Sequence, residues 1–310
     1  MPIEDGEAQD PVEGPWGIAE AAAITPDGEK LYVTDLSSGT IYAIDTRSHE
    51  ILAQIPGPIN AHDIAISPRG GLAYVASPDY GVWAIDTSED RLLEEPVEAG
   101  DQPFGVAFAP DGERAYVTNA NGISVIDTDT HDEVKRIADG GMVSLRGMAI
   151  TPDGRTLYVA NGGRNNVLAI DTDTGDVVAT IAVGELPQTI ALTPDGKRAY
   201  VANWFSDNVS VIDTATNAVE ETTFLGSEVR AVAAVPNQPP TAELRADALE
   251  VFAGTPVTFD ASGSSDDEGI ASYTFDFGDG ARATTAQPTH KHAYTEPGTY
   301  QATVTADDGV

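Results

Sequence analysis

Short apolar runs separated by polar turns fill the first three quarters of the chain, and they return on a fixed period. One stretch shows the pattern in full. Gln188-Thr189-Ile190-Ala191-Leu192 leads into Thr193-Pro194-Asp195-Gly196, followed by Arg198-Ala199-Tyr200-Val201-Ala202 and a polar loop. Then come Val209-Ser210-Val211-Ile212-Asp213-Thr214, a second turn, and Val219-Glu220-Glu221-Thr222-Thr223-Phe224. The runs are rich in Val, Ile, Tyr and Thr, and none sustains a helical 3.6-residue stripe, so each predicts a strand. Proline pre-sets φ, and Asp-Gly tolerates the positive-φ positions of a tight hairpin.

The tyrosines of Tyr32-Val33-Thr34-Asp35, Tyr74-Val75-Ala76-Ser77, Tyr116-Val117-Thr118-Asn119, Tyr158-Val159-Ala160-Asn161 and Tyr200-Val201-Ala202-Asn203 stand 42 residues apart, as do Pro26, Pro68, Pro110, Pro152 and Pro194. A period of this size means copies of one unit, and four short strands per copy describe a propeller blade. The third-strand acids Asp45, Asp86, Asp127, Asp171 and Asp213 drift in spacing while the tyrosines do not, as expected where loops vary and inner strands cannot. The Thr-Pro-Asp-Gly turn, the Tyr-Val-Thr/Ala-Asn strand and the Ile-Asp-Thr strand resemble the YVTN-type β-propeller repeats of archaeal and bacterial surface proteins, over residues 15–236. The second copy departs, with Ser67-Pro68-Arg69-Gly70 and Ala76-Ser77. Five complete copies precede a sixth opening run, Arg230-Ala231-Val232-Ala233-Ala234. That count fits part of a seven-bladed ring, common in the family, or a five-bladed ring closed by residues 230–234. The run from Pro11 to Ala19 echoes Pro96-Val97-Glu98 with Pro103-Phe104-Gly105-Val106-Ala107, as though an earlier blade had been cut; residues 1–14 read as an acidic tail.

The period stops at Val235-Pro236-Asn237-Gln238-Pro239-Pro240, a composition that favours extended backbone at a domain joint. Beyond it, strands bounded by Gly and Asp turns predict a small β-sandwich over 237–310. Phe277-Gly278-Asp279-Gly280 and Pro297-Gly298-Thr299-Tyr300 resemble a PKD domain, an immunoglobulin-like module common on secreted and surface proteins, read here as lacking its last strand. Phe275 stands where that family usually has Trp. The expected fold class is therefore all-β: a propeller of four-stranded blades followed by a sandwich.

Charge alters the picture next. Fifty acidic residues against sixteen basic ones give a net charge of −34, and only Lys30, Lys135, Lys197 and Lys291 are lysines. No basic face could offset that field, so nucleic acid is excluded as a partner. An acidic, lysine-poor surface suits a halophilic setting, where salt screens self-repulsion; a GC-rich genome leaves the same mark. There is no cysteine and no apolar run of membrane length, and the first residues are not a secretory signal. An extracellular or cell-surface location follows from the family resemblance alone.

The repeat register also picks out candidate sites. In a propeller the first strand of each blade lines the central channel, and the position opening it is Glu20, His62, Phe104, Arg146, Gln188 and Arg230, each 42 apart. This predicts a polar channel mouth able to hold a small anionic ligand through His62, Arg146 and Arg230. The bland alternative is a solvated rim of paired side chains. Loops after the second strands bring Tyr80, Arg164 and the pair Trp204-Phe205 to the same rim, as contact residues for a surface protein or glycan, or simply as cover for apolar edges. Asp171-Thr172-Asp173-Thr174-Gly175-Asp176 has Ala182 where a calcium loop needs its twelfth-position acid, so it reads as an Asx turn. By resemblance to calcium-binding PKD-like modules, Asn237, Asp266, Glu268 and Asp307 form the better Ca²⁺ candidate. His290 and His292 alternate along one predicted strand, as a solvated pair or as metal ligands. Two functions follow: a non-catalytic surface-layer or adhesion scaffold on a PKD spacer, or a lactonase-like hydrolase using Glu20, His62 and Arg146, since related propellers carry His, Glu and Arg at the channel mouth.

Overall fold

A computed structural model describes residues 17–94, 97–138, 140–226, 229–233, 240–266 and 269–307. The chain divides into two compact units, Met1–Ala234 and Val235–Val310. In the first, five antiparallel four-stranded sheets follow one another, each a meander in chain order. Their first strands are Ala19–Ile24, Asp63–Ile66, Val106–Phe108, Leu145–Ile150 and Pro187–Leu192. These five pack side by side in sequence, which makes them the inner strands of successive blades. Apolar residues on facing sheets fill the space between blades; Tyr32, Ile41 and Ile55 of the first meet Ile64, Val75 and Ile85 of the second.

Each repeated residue has a distinct mechanical duty. The tyrosine is a staple between blades: its hydroxyl crosses to the turn between the third and fourth strands of the next blade. Tyr32 donates to Thr87 O and Asp90, Tyr74 meets His131 Nδ1 at 2.6 Å, and Tyr158 donates to Asn217 Oδ1 at 2.7 Å. Thr172 stands within hydrogen-bonding reach of Tyr116 in the same way. Burial raises the pKa of all four phenols, so they stay neutral donors. In the first four blades the last residue of the tetrapeptide ties down the connector that enters the same blade, whereas Asn203 in the fifth donates to Asn208 and Ser210. Asn119 donates to Ala99 O and Asn161 to Gly141 O, while Asp35 accepts from Gly17 N and Ser77 donates to Ile59 O. The third-strand Asp accepts from backbone N–H groups of its own turn, as at Asp45, Asp127 and Asp171, which confirms the Asx-turn reading. The Thr after it donates back to the hairpin glycine carbonyl, as Thr128 does to Gly112 O.

The five blades make an arc whose two ends differ from its middle. Val75, Val117, Val159 and Val201 are fully buried, but Val33 of the first blade is half-buried. Tyr32, Tyr74, Tyr116 and Tyr158 are buried, but Tyr200 of the fifth is half-buried. Of residues 230–234, expected as a sixth opening strand, the described 230–233 form no ladder; Val232 N donates to Thr189 Oγ1, and that hydroxyl to Arg230 O. Among the described residues no pairing joins them to the first sheet, so closure of a five-bladed ring by that route is not seen.

The second unit has two three-stranded sheets. Arg245–Ala246, Pro256–Asp260 and Thr289–Ala293 form one; Arg282–Thr285, Ser272–Asp276 and Thr303–Asp307 form the other. Val257, Phe259, Tyr273, Phe275 and Phe277 are buried between them. Phe275, at the position usually held by Trp, is fully buried and lies 5.9 Å from the His290 ring.

Candidate functional site

The opening positions of the inner strands come together as the register implies. Glu20 Oε1 lies 3.3 Å from His62 Nδ1, and the His62 ring stacks on Phe104 with centroids 4.7 Å apart. The Arg146 guanidinium lies over the same phenylalanine ring, 4.3 Å from its centroid. Four consecutive blades thus contribute one continuous row: carboxylate, imidazole, phenyl ring, guanidinium. Gln188 continues the series as a buried side chain, and Arg230 stacks over Trp204 at 4.5 Å.

Beside the row lies a cleft of about 360 Å³, walled by His62, Phe104 and Arg146 together with Asn60, Gln102, Asn119 and Ser144. Asn60, Gln102 and Ser144 each stand two residues before an opening position, and each holds a positive φ, at 58°, 52° and 52°. Leu186 repeats the kink at 51°. That left-handed step swings the connector toward the inner strands and sets its polar side chain on the cleft wall. Sequence reading missed these residues, because only Asn among them is a usual left-handed residue. The register would have found them, since 60, 102, 144 and 186 keep the 42-residue interval.

The electrostatics of the cleft centre on Arg146. Its Nε atom is buried and has no hydrogen-bond partner, and burial pushes its pKa down from the usual arginine value. No acidic side chain pairs with it among the described residues, whereas Lys30, Arg69, Arg136 and Arg282 all sit on carboxylates. A guanidinium stays charged at any working pH, so the cleft presents an unmatched positive charge in a strongly acidic chain. Asp63, which follows His62 in the chain, accepts from Ile64 N and from Val106 N of the following blade. Its buried surroundings push its pKa up to about 7 against those two hydrogen bonds.

The remaining candidates are placed as follows. Trp204 and Phe205 pack together at 5.2 Å; Phe205 is 65% exposed and Trp204 is half-buried under Arg230. Tyr80 is exposed, and Arg164 ends the short 3-10 turn Gly162–Arg164. In the second unit Asn237 and Glu268 lie outside the described residues. Asp266 and Asp307 are described, and among the described residues no three acidic or histidine side chains gather to hold a metal. His290 and His292 lie against Phe277, and His292 Nε2 meets Asp279 Oδ2 at 2.7 Å; the pair packs on aromatic rings and does not converge on a shared ligand position.

Comparison with known proteins adds the following. A family model described as "Lactonase, 7-bladed beta-propeller" matches residues 57–231, and one described as "PKD domain" matches residues 237–310. The seven-bladed beta-propeller protein Rv1057 of Mycobacterium tuberculosis is 33% identical over 96 residues, which are 29% of this chain and 24% of that protein. The uncharacterized WD repeat-containing protein sll1491 of Synechocystis is 35% identical over 103 residues, 33% of this chain and 29% of that protein. The chain thus spans about a quarter of the length of these curated relatives. Among solved structures, Kuenenia stuttgartiensis hydrazine synthase is similar at 21% identity and a TM-score of 0.47, over 68% of this chain and 80% of that one.

Proposed function

The chain belongs, through more than half of its length, to the family of seven-bladed β-propeller lactonases, and from that footing we propose that it is a non-catalytic binding scaffold whose cleft takes a small organic anion. The observation that carries this reading is Arg146. A guanidinium with a buried, unpartnered Nε is costly unless an anion meets it, and this chain has fifty acidic side chains from which a partner could have been drawn. The Arg146 guanidinium carbon lies over the Phe104 ring, and a guanidinium can meet a carboxylate or phosphate through two parallel N–H bonds. Asn60, Gln102 and Ser144 offer neutral polar groups to the rest of the molecule.

In this reading the propeller is displayed at the cell surface or outside it, with the PKD domain as a spacer. The PKD match supports that location, and no helix among the described residues is long and apolar enough to cross a membrane. Trp204 and Phe205 would serve a larger partner, a glycan or another surface protein, as an exposed aromatic pair does at many contact surfaces.

Family membership and the Glu20–His62 pair favour a second reading, hydrolysis of a lactone in the same cleft. Glu20 would orient the imidazole, and His62 would take a proton from water as the hydroxide adds to the carbonyl. Arg146 would face the oxyanion. Collapse would break the ring C–O bond, and the alkoxide would recover the proton from His62 to leave a hydroxy acid.

Titration calorimetry with a panel of carboxylates, phosphate esters and lactones separates the two. The scaffold reading expects binding that Arg146→Ala abolishes and no turnover of any lactone. Turnover lost in both His62→Ala and Arg146→Ala would establish the hydrolase instead. Binding unchanged in Arg146→Ala would end both.

A further inference from the structure

The non-glycine residues that take a left-handed φ divide by what their side chains do. Asp90 and Asn217 accept a tyrosine hydroxyl, and His131 meets a third. Asn165 accepts from Leu186 N, Asn60 donates to Asp79, and the Leu186 side chain lies against Gly162. Each of these six turns a costly conformation into a contact within the fold. Gln102 and Ser144 do not. Both hold φ 52°, and neither side chain has a hydrogen-bond partner among the described residues. His49 and Asp207 share that lack, but they stand away from the cleft, whereas Gln102 and Ser144 wall it.

Glycine takes a left-handed step at no steric cost, and this chain uses it where no side chain is needed. In the hairpin after the first strand of every blade, Gly28, Gly70, Gly112, Gly154 and Gly196 have φ between 70° and 74°. A glycine at 102 or 144 would turn its connector equally well. Side chains kept in strained backbone with no return inside the fold are a mark of ligand sites.

The cleft limits what those two side chains can meet. Apart from His62 and Arg146, no side chain that lines it can ionise, so the ligand beyond its anionic group is neutral. The Gln102 carboxamide offers an N–H and a C=O in one plane, the complement of an amide, and the Ser144 hydroxyl both donates and accepts. Pro78, Ala120 and Leu145 leave apolar wall for the remainder. We infer that Gln102 and Ser144 are recognition residues for a ligand amide, and that the anion taken by this cleft is a carboxylate carrying an amide, as in an N-acylated amino acid. The inference rests on Arg146 as the seat of the anion.

The test is titration calorimetry of the full chain with N-acetylglycine and with pentanoate, a carboxylate of the same chain length without the amide. The native protein, Gln102→Gly and Ser144→Gly are compared, with urea unfolding alongside. The native chain is expected to prefer N-acetylglycine. Each variant should bind it about fivefold more weakly, the effect of one net hydrogen bond, and bind pentanoate as before. Because glycine accepts the left-handed step freely, neither variant's urea midpoint should fall. A native chain without the preference, or either variant keeping it in full, would overturn the inference and leave Arg146 as the anion's seat. A lowered midpoint would show that these side chains serve the fold, and would overturn it as well. Failure of both carboxylates to bind the native chain would end the inference together with the reading beneath it.

Discussion

The Thr118 hydroxyl donates a 2.8 Å hydrogen bond to the Arg146 carbonyl, across the junction between the third and fourth blades. The same oxygen accepts from Gly105 N at 2.8 Å. One buried hydroxyl therefore fixes the inner strand of its own blade and the backbone that carries the cleft arginine. Thr118→Val keeps the shape but leaves the Gly105 N–H and the Arg146 carbonyl unsatisfied. The expected cost is about 1–3 kcal/mol, read as a lower urea midpoint at unchanged m-value. An unchanged midpoint would mean that the inner strands are held by packing alone.

Phe104 presents one ring to two partners, His62 and Arg146. Phe104→Leu retains apolar bulk and removes the π-face over which the guanidinium carbon lies. Cation–π contacts are worth about 0.5–2 kcal/mol, so anion affinity should fall by roughly 2- to 30-fold with the fold intact. Calorimetry alongside a thermal melt distinguishes this from unfolding. Equal affinity would show that Arg146 needs no platform.

Asp63 makes stability depend on pH in an unusual direction. Its folded pKa, about 7, lies above the ordinary aspartate value of 3.8, so between those limits the folded state keeps a proton that the unfolded chain has lost. Stability contributed by this group is complete below pH 3.8 and falls as pH rises toward 7, by as much as about 4 kcal/mol. Asp195 acts oppositely: the Thr193 hydroxyl first, then the Lys197 N–H, hold it at about 2, so its contribution is lost only as pH falls below the ordinary value. General charge repulsion also grows from pH 4 to 7, but it acts equally on Asp63→Asn. The difference in unfolding free energy between native and variant should move against the native protein across that window. Parallel curves would refute the assignment.

The features legible in the sequence are those the ring geometry repeats. A tyrosine that must reach the next blade, and an asparagine that must hold its own connector, cannot drift, so Tyr32 through Tyr200 keep their interval and predict blades. The mouth row was legible for the same reason: Glu20, His62, Phe104 and Arg146 occupy one register. Exchanges between strands were not legible. Thr34 and Thr118 each bridge two inner strands through a hydroxyl, toward Ala61 O and Arg146 O. Ala76, Ala160 and Ala202 replace that threonine in the second, fourth and fifth copies; in the second and fifth, Asp63 and Thr189 on the inner strand itself make the bridge instead, whereas the fourth has Gly147 at that place. Read singly, Asp63 is a stray acid and Ala76 a departure from the motif; only the pairing across strands shows one hydrogen bond supplied from two places. The expected sixth strand, 230–234, forms no ladder over its described residues, whose backbone meets the Thr189 hydroxyl and pairs with no second strand among the described residues.

Gly105 marks where the inner strands approach most closely around the cleft. A Cβ there would lie 2.6 Å from the Arg146 carbonyl oxygen, 3.0 Å from Thr118 Oγ1 and 3.2 Å from the Gly147 Cα. Two of these are backbone atoms of the next blade, so Gly105→Ala can be accommodated only by moving the third and fourth inner strands apart. That overpacking should cost about 1–3 kcal/mol. Because the strand that moves carries Arg146, anion affinity should fall with stability, even though residue 105 does not line the cleft. Gly140→Ala is the matched control: nothing lies within 4 Å of its added Cβ and its φ is not left-handed, so it should be neutral or gain up to about 1 kcal/mol. Paired denaturation and calorimetry on both variants read the two effects together. Loss of stability in Gly105→Ala without loss of affinity would separate the close approach of the strands from the placement of the arginine.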